Sequence, residues 1–179
     1  MPETTKLEFR IKLENKDFIT FNLEYRRLFY LLFSCVYFLL AAVLFLLMNN
    51  DTPLTVFKGL FAVGVGVVAA AFIQLALFFT LRFQVSRMFK SDRLMQYEQH
   101  YILDDSGLVV LTQVGDSRIS WPELYRVVEY RNSLALFVGR NRALILPKRL
   151  LDSQIANGTA EVKRLVKACL PPQKVKLRR

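Results

Sequence analysis

Hydrophobic and polar positions along the chain change period four times. Leu7, Phe9, Ile11 and Leu13 alternate with Lys6, Glu8, Arg10, Lys12 and Glu14. A period of two over nine residues predicts a half-buried strand. The turn residues Glu14-Asn15-Lys16-Asp17 follow, and then a run from Phe18 to Tyr25 that reads either as a second strand or as the start of a helix. From Leu28 to Met48 no residue is charged. At 1.5 Å per residue that stretch makes roughly 31 Å of helix, the thickness of a bilayer core. After the polar turn Asn49-Asn50-Asp51-Thr52-Pro53, a second apolar run extends from Gly59 to Leu81, with Gln74 its one strongly polar side chain. The pattern predicts a two-helix transmembrane hairpin.

From Tyr97 the chain breaks into short apolar runs: Tyr97–Leu103, Leu108–Val114, Arg118–Ser120, Leu124–Tyr130, Leu134–Val138 and Arg142–Leu146. Asp104-Asp105-Ser106-Gly107, Gly115-Asp116, Asn132-Ser133 and Gly139-Arg140-Asn141 separate them with hairpin chemistry. Past Pro147 the period becomes helical, with Val162, Leu165, Val166 and Cys169 on one face. Pro171-Pro172 stops that helix, and a basic tail is expected to trail off as a mobile segment. The expected architecture is an α+β membrane protein. It has a cytoplasmic strand region over 1–27, the hairpin over 28–81 (spans 28–48 and 59–81), a juxtamembrane connector over 82–96, a cytoplasmic domain over 97–170 and a tail over 171–179. The cytoplasmic domain is a small antiparallel sheet or barrel, PH-like in element order, joined by the first strand and closed by the C-terminal helix.

Within the second span, Ala62, Gly66 and Ala70 recur every fourth residue, which lets two helices approach closely. The favoured reading is packing on the chain's own first helix, around Ser34, Ala41 and Ala42; a dimer face is the alternative. Gln74 is expected to make an interhelical hydrogen bond. With no ionisable group inside either span, a transporter is not expected.

Three further segments resemble a known family. They are Ile102-Leu103-Asp104-Asp105-Ser106-Gly107-Leu108, Ile119-Ser120-Trp121-Pro122-Glu123-Leu124 and Ala143-Leu144-Ile145-Leu146-Pro147-Lys148-Arg149. Together with Asp17-Phe18-Ile19-Thr20-Phe21-Asn22 before the first span, they resemble the YcxB-like family. The resemblance implies a bacterial PH-like domain on a two-helix anchor, with no catalytic residues to carry over. Trp-Pro-Glu in place of a simple turn implies that Pro122 shifts the following strand.

Candidate chemistry is sparse. His100 is the single histidine and lies in an expected strand, so it reads as a surface or partly buried imidazole rather than a metal ligand. Asp104-Asp105 reads as a hairpin turn, not a catalytic acid pair. Ser106 and Ser117 lack a His-Asp partner set. Gly64-Val65-Gly66 lies mid-span and is no phosphate loop. The sequence therefore predicts no enzyme, no cofactor and no metal.

Candidate contacts for a partner or lipid headgroup are Trp121, Tyr125, Lys148 and Arg149. Trp121 is expected to begin a strand and to serve first as a core anchor. Lys148 and Arg149 open a helix, where the dipole disfavours cations, and so point to an external anion. The expected function is a non-enzymatic, membrane-anchored protein-interaction module, in one version an immunity or inhibitor protein against a membrane-associated toxin. Binding of anionic lipid as a sensor or scaffold is the alternative. Expected partners are membrane lipids, a protein partner and a second copy of the chain.

Charge sets the expected topology. Of 179 residues 25 are Lys or Arg and 15 are Asp or Glu, a formal net charge of +10. Residues 1–27 hold six basic and five acidic groups, residues 94–170 ten and eight. The excess lies instead in 82–93, with four basic groups and one acidic, and in the tail, with four basic groups. Arg26-Arg27 and Arg82, Arg87, Lys90 and Arg93 flank the spans, whereas Lys58 and Asp51 cancel around the turn. Positive-inside bias predicts a multi-pass protein of the cell's inner (cytoplasmic) membrane with both termini in the cytoplasm. A basic excess so placed argues against nucleic acid. Two cysteines, Cys35 and Cys169, exclude a disulfide scaffold.

Overall fold

The alternating residues at the start form a strand, β1 (Leu7–Ile11), with Leu7, Phe9 and Ile11 buried and Glu8 and Arg10 exposed. The computed structural model describes residues 6–49 and 55–178, the side chain of Leu94 excepted. The order is β1, α1 (Asn15–Met48), α2 (Val56–Ser91), α3 (Arg93–Gln96), β2 (Gln99–Asp104), β3 (Gly107–Thr112), β4 (Gly115–Ser120), β5 (Arg126–Glu129), β6 (Ser133–Phe137), β7 (Ala143–Pro147), α4 (Lys148–Gln154), α5 (Gly158–Cys169) and β8 (Val175–Lys176). The chain divides into one unit of residues 1–24 and 86–179 and another of residues 25–85.

In the first unit the strands form two sheets, ordered β1-β2-β3-β4 and β7-β6-β5-β8. The expected barrel is not closed. Between β4 and β5 stands a single 3-10 turn, Trp121–Glu123. Pro122 has no N–H to give a ladder, so the first sheet ends there and the chain restarts in the second. Trp121 thus lies in the turn rather than at a strand start. All pairings are antiparallel except β5 with β8, which is parallel with Val127 opposite Val175. Leu7 of β1 faces Leu103 of β2, which supplies the sheet that the first strand requires.

One core fills this unit. Phe9, Ile11, Tyr101, Leu103, Leu108, Trp121, Leu124, Val127, Leu134, Leu136, Leu146, Leu151, Val162, Leu165 and Val166 all contribute. The segment Phe18–Tyr25 is helical, because α1 begins at Asn15, well before the uncharged run, and buries Phe18, Ile19 and Phe21. The Phe18 ring lies 5.9 Å from Phe89, and Phe21 meets Tyr130 edge-on at 5.4 Å. α2 likewise continues past Leu81 to Ser91, and the Gln96 amide donates to the carbonyls of Phe89 and Lys90.

The C-terminal segment is not loose through residue 178. Lys174 Nζ donates to the carbonyls of Pro122 and Leu124, both at 2.8 Å, and β8 joins the edge of β5. Leu177 packs on the core.

In the second unit the two long apolar helices touch at small residues. Ala62 is buried. A Cβ at Gly66 would lie 2.8 Å from the Phe38 ring and 2.9 Å from the Phe38 carbonyl, so glycine is what permits the approach. Ser34 Oγ donates to the Ala70 carbonyl at 3.3 Å. Gly66 and Ala70 therefore pack on the chain's own first helix, at Phe38 and Ser34. Gln74 departs from expectation: it is exposed, and its side chain has no hydrogen-bond partner among the described residues. The turn expected at 49–53 lies outside the described residues apart from Asn49.

Candidate functional site

Three of the four expected contact residues have side-chain hydrogen bonds or ion pairs inside the chain. Trp121 is buried, 3% exposed, and its indole N–H donates to the Asp104 carbonyl at 2.9 Å. Its core role holds, and the indole presents no surface for a partner. Tyr125 is half exposed, with its N–H bonded to the Phe137 carbonyl and the Arg126 guanidinium 5.7 Å from its ring.

Lys148 and Arg149 follow β7, where Pro147 ends the strand and α4 begins. The anions they require are internal. Lys148 Nζ meets Glu129 Oε1 at 2.6 Å. Arg149 spans Asp17, at 2.7 Å, and Glu14, at 2.8 Å, which lie at and just before the start of α1. The argument for an external anion from the helix dipole falls, since these carboxylates already answer both cations.

Sequence reasoning missed Glu129. This side chain is 5% exposed and also accepts Lys163 Nζ from α5 at 2.9 Å and the Arg178 N–H at 2.9 Å. Burial pushes the Glu129 carboxyl up, but the hydrogen bonds from Lys148, Lys163 and Arg178 hold it below the usual carboxylate range. An acid directly after Val127-Val128 in an apolar strand was the signal available. It joins β5, α4, α5 and the C-terminal segment at one point.

Beside this junction lies a cleft of about 280 Å³ lined by Lys16, Asp17, Thr20, Phe21, Arg131, Asn132, Ser133, Pro147, Lys148 and Arg149. Four cations line it, yet Lys16 is bonded to Glu14, and Lys148 and Arg149 are paired as described. Arg131 donates its backbone N–H to Glu24 at 2.7 Å, leaving its guanidinium without a carboxylate partner among the described residues. The cleft is close to charge balance, which weakens it as an anion trap.

The remaining polar groups act locally. Asp104 Oδ1 accepts the Ser106 hydroxyl at 2.5 Å and the N–H groups of Ser106 and Gly107 at 2.7 and 3.0 Å. The Ser106 hydroxyl and these backbone donors hold its carboxyl below the usual range, as an Asx turn requires. His100 stands 3.4 Å from Glu8 on the outer face of the first sheet. Among the described residues no three His, Cys, Asp or Glu side chains gather as metal ligands.

The hairpins, the Trp-Pro-Glu turn and the Pro-Lys-Arg corner lie in one stretch, residues 103–157, and that stretch matches the family model described as YcxB-like protein. Over those residues the chain is similar to the YcxB-like family. It is 27% identical over 129 residues to the uncharacterised protein YcxB of Bacillus subtilis (strain 168), an alignment covering 68% of this chain and 69% of that one. No solved structure matches the chain. The YcxB-like stretch runs from the end of β2 through α4, and so contains Glu129, Lys148 and Arg149 together with Trp121.

Proposed function

We propose that this chain is a membrane-anchored, non-enzymatic interaction module. In this reading α1 and α2 cross the inner membrane, both termini are cytoplasmic, and the sheet unit is an open PH-like platform. The observation that carries the reading is apolar exposure on the two helices. Leu28 is 70% exposed, Phe57 75% and Phe72 71%, and both helices are long and apolar enough to cross a bilayer. Water tolerates such a surface poorly, and lipid removes the cost. With Lys148 and Arg149 neutralised internally, protein docking accounts for the platform better than capture of anionic lipid. Inhibition of a membrane-acting toxin is one specific form of such docking.

The test combines extraction with labelling. Alkaline carbonate should leave the chain in the membrane pellet. In a background with both native cysteines replaced by serine, Ala168→Cys, exposed on α5, should react with an impermeant maleimide only after the cells are opened. Release into the supernatant would overturn the anchor, and labelling in intact cells would overturn the topology. Chemical cross-linking of the full chain in its membrane should then give a discrete product, and a chain that stays uncross-linked would overturn the docking role.

A further inference from the structure

The first sheet has two edges, and they are treated differently. At the β1 edge, Gln154 of α4 donates to the Arg10 carbonyl and accepts the Arg10 N–H, both at 2.8 Å. A side-chain amide thus covers that edge. It also fixes the parity of the whole sheet, because Arg10 must point its backbone polar groups away from β2. Antiparallel ladders alternate between pairs that exchange both bonds and pairs that exchange none. Carried through the registers Arg10↔His100, His100↔Leu111 and Leu111↔Asp116, this alternation turns the N–H and C=O of Asp116, Arg118 and Ser120 outward on β4. The Ser120 N–H bears this out, as it is bonded to Glu123 Oε2 at 2.7 Å rather than to a strand. What remains open is the edge at Asp116 and Arg118.

Asp116 and Arg118 have opposite charges and share the face of the sheet that holds Leu111 and Val109, their register partners. Both are exposed. The Asp116 carboxylate has no partner among the described residues, and Arg118 Nη2 donates to the Ser106 hydroxyl at 3.0 Å, with the Asp104 carboxylate near enough to feel its charge. We propose that β4 pairs antiparallel with β4 of a second copy, about a two-fold axis through Ser117, joining two four-stranded sheets into one of eight.

Charge and backbone parity select that register. Pairing about Ser117 sets Asp116 opposite Arg118 of the other copy, twice, and each such pair has its free N–H and C=O facing the partner. A shift of one residue sets outward backbone groups against inward ones. A shift by two in one direction puts Asp116 opposite itself. In the other direction Arg118 meets Arg118. The selected register also lays Val114, 68% exposed at the hairpin tip, beside Ser120 of the second copy. The pairing does not depend on the membrane reading, although two copies held in one bilayer would meet at higher effective concentration.

The test uses the full chain in mild detergent, with both native cysteines replaced by serine. On the two-fold axis, the Ser117 pair is one that exchanges no bonds, with Cα atoms about 4.5 Å apart, within disulfide reach. Mild oxidation of Ser117→Cys should give a covalent dimer, and Lys167→Cys on α5 should not. Adding Asp116→Arg or Arg118→Asp alone should lower the dimer yield about tenfold, and the double exchange should restore it. Tryptophan emission from buried Trp121 reports whether each variant is folded. A folded Ser117→Cys chain that stays monomeric would overturn the proposal, as would a dimer indifferent to the single reversals.

Discussion

Replacing Glu129 by alanine leaves two ammonium groups, Lys148 and Lys163, facing the space of a lost carboxylate. Their side chains are 22% and 25% exposed, and the Glu129 side chain is 5% exposed. Removing one partner of a fully buried pair costs about 3–5 kcal/mol. Because both lysines keep some access to water, about 2–3 kcal/mol is expected here. For a unit of this size that lowers the melting temperature by about 10 °C. The assay is thermal unfolding of the full chain in mild detergent, followed by emission of Trp121, the single tryptophan, which lies in the same core. Glu129→Gln should fall between parent and alanine variant. Exchanging all three groups for apolar ones, Glu129→Leu with Lys148→Met and Lys163→Met, should recover much of the loss, because the cost lies in the unpaired charges. The folded carboxyl titrates below its ordinary value of 4.5. Its contribution is therefore present above that value and is lost as pH falls through the lower, folded value. The gap between parent and Glu129→Ala should close in acid. An alanine variant melting within 2 °C of the parent, roughly half a kcal/mol on the same scale, would refute the reasoning.

Arg149→Ala should cost only about 1 kcal/mol or less in the same melt, since its ion pairs with Glu14 and Asp17 are partly solvated. Gly158→Ala should cost about 1–3 kcal/mol, because a Cβ there would lie 2.4 Å from the Leu151 carbonyl, which cannot swing aside. Gly66→Leu should separate α1 from α2 at Phe38, read as loss of a disulfide between Ser34→Cys and Ala70→Cys in a background without native cysteines. Ending the chain at Leu170 removes β8 and the Lys174 bonds, and should lower the Trp121 melt and expose the β5 edge, with aggregation visible by size exclusion.

Where burial repeats with a regular period, the sequence was readable. The Leu7–Leu13 alternation became β1, the Asp-Asp-Ser-Gly turn became the β2–β3 hairpin, and Val162, Leu165 and Val166 became the buried face of α5. Phe18–Tyr25 carried no deciding period, since its helix is selected by contacts with Phe89 and Tyr130 from distant segments. Two residues, Val175 and Lys176, are too few to show a period, so β8 was invisible and the tail looked free. Pro122 was seen to disturb a boundary, but its larger effect, dividing one expected barrel into two sheets, required knowing that no ladder bond bridges it. For the site, positive residues were legible as charge. Their carboxylate partners come from 19 and 132 residues away in sequence, and no spacing encodes such distances.

The first strand has a consequence for the order in which the molecule can fold. β1 precedes its partner strand along the chain, with Leu103 96 residues after Leu7. During synthesis β1 must wait, unpaired, until both long helices and α3 have been made. A flexible loop of that length would close slowly. The helices shorten it, for Asn15 Nδ2 and Ser86 Oγ end up 2.9 Å apart although 71 residues separate them. Once α1 and α2 lie side by side, the search left to β1 is that of a short connection. A helix pair formed early would shorten the search left to β1, so Gly66→Leu should slow refolding of the sheet unit, read by stopped-flow emission of Trp121.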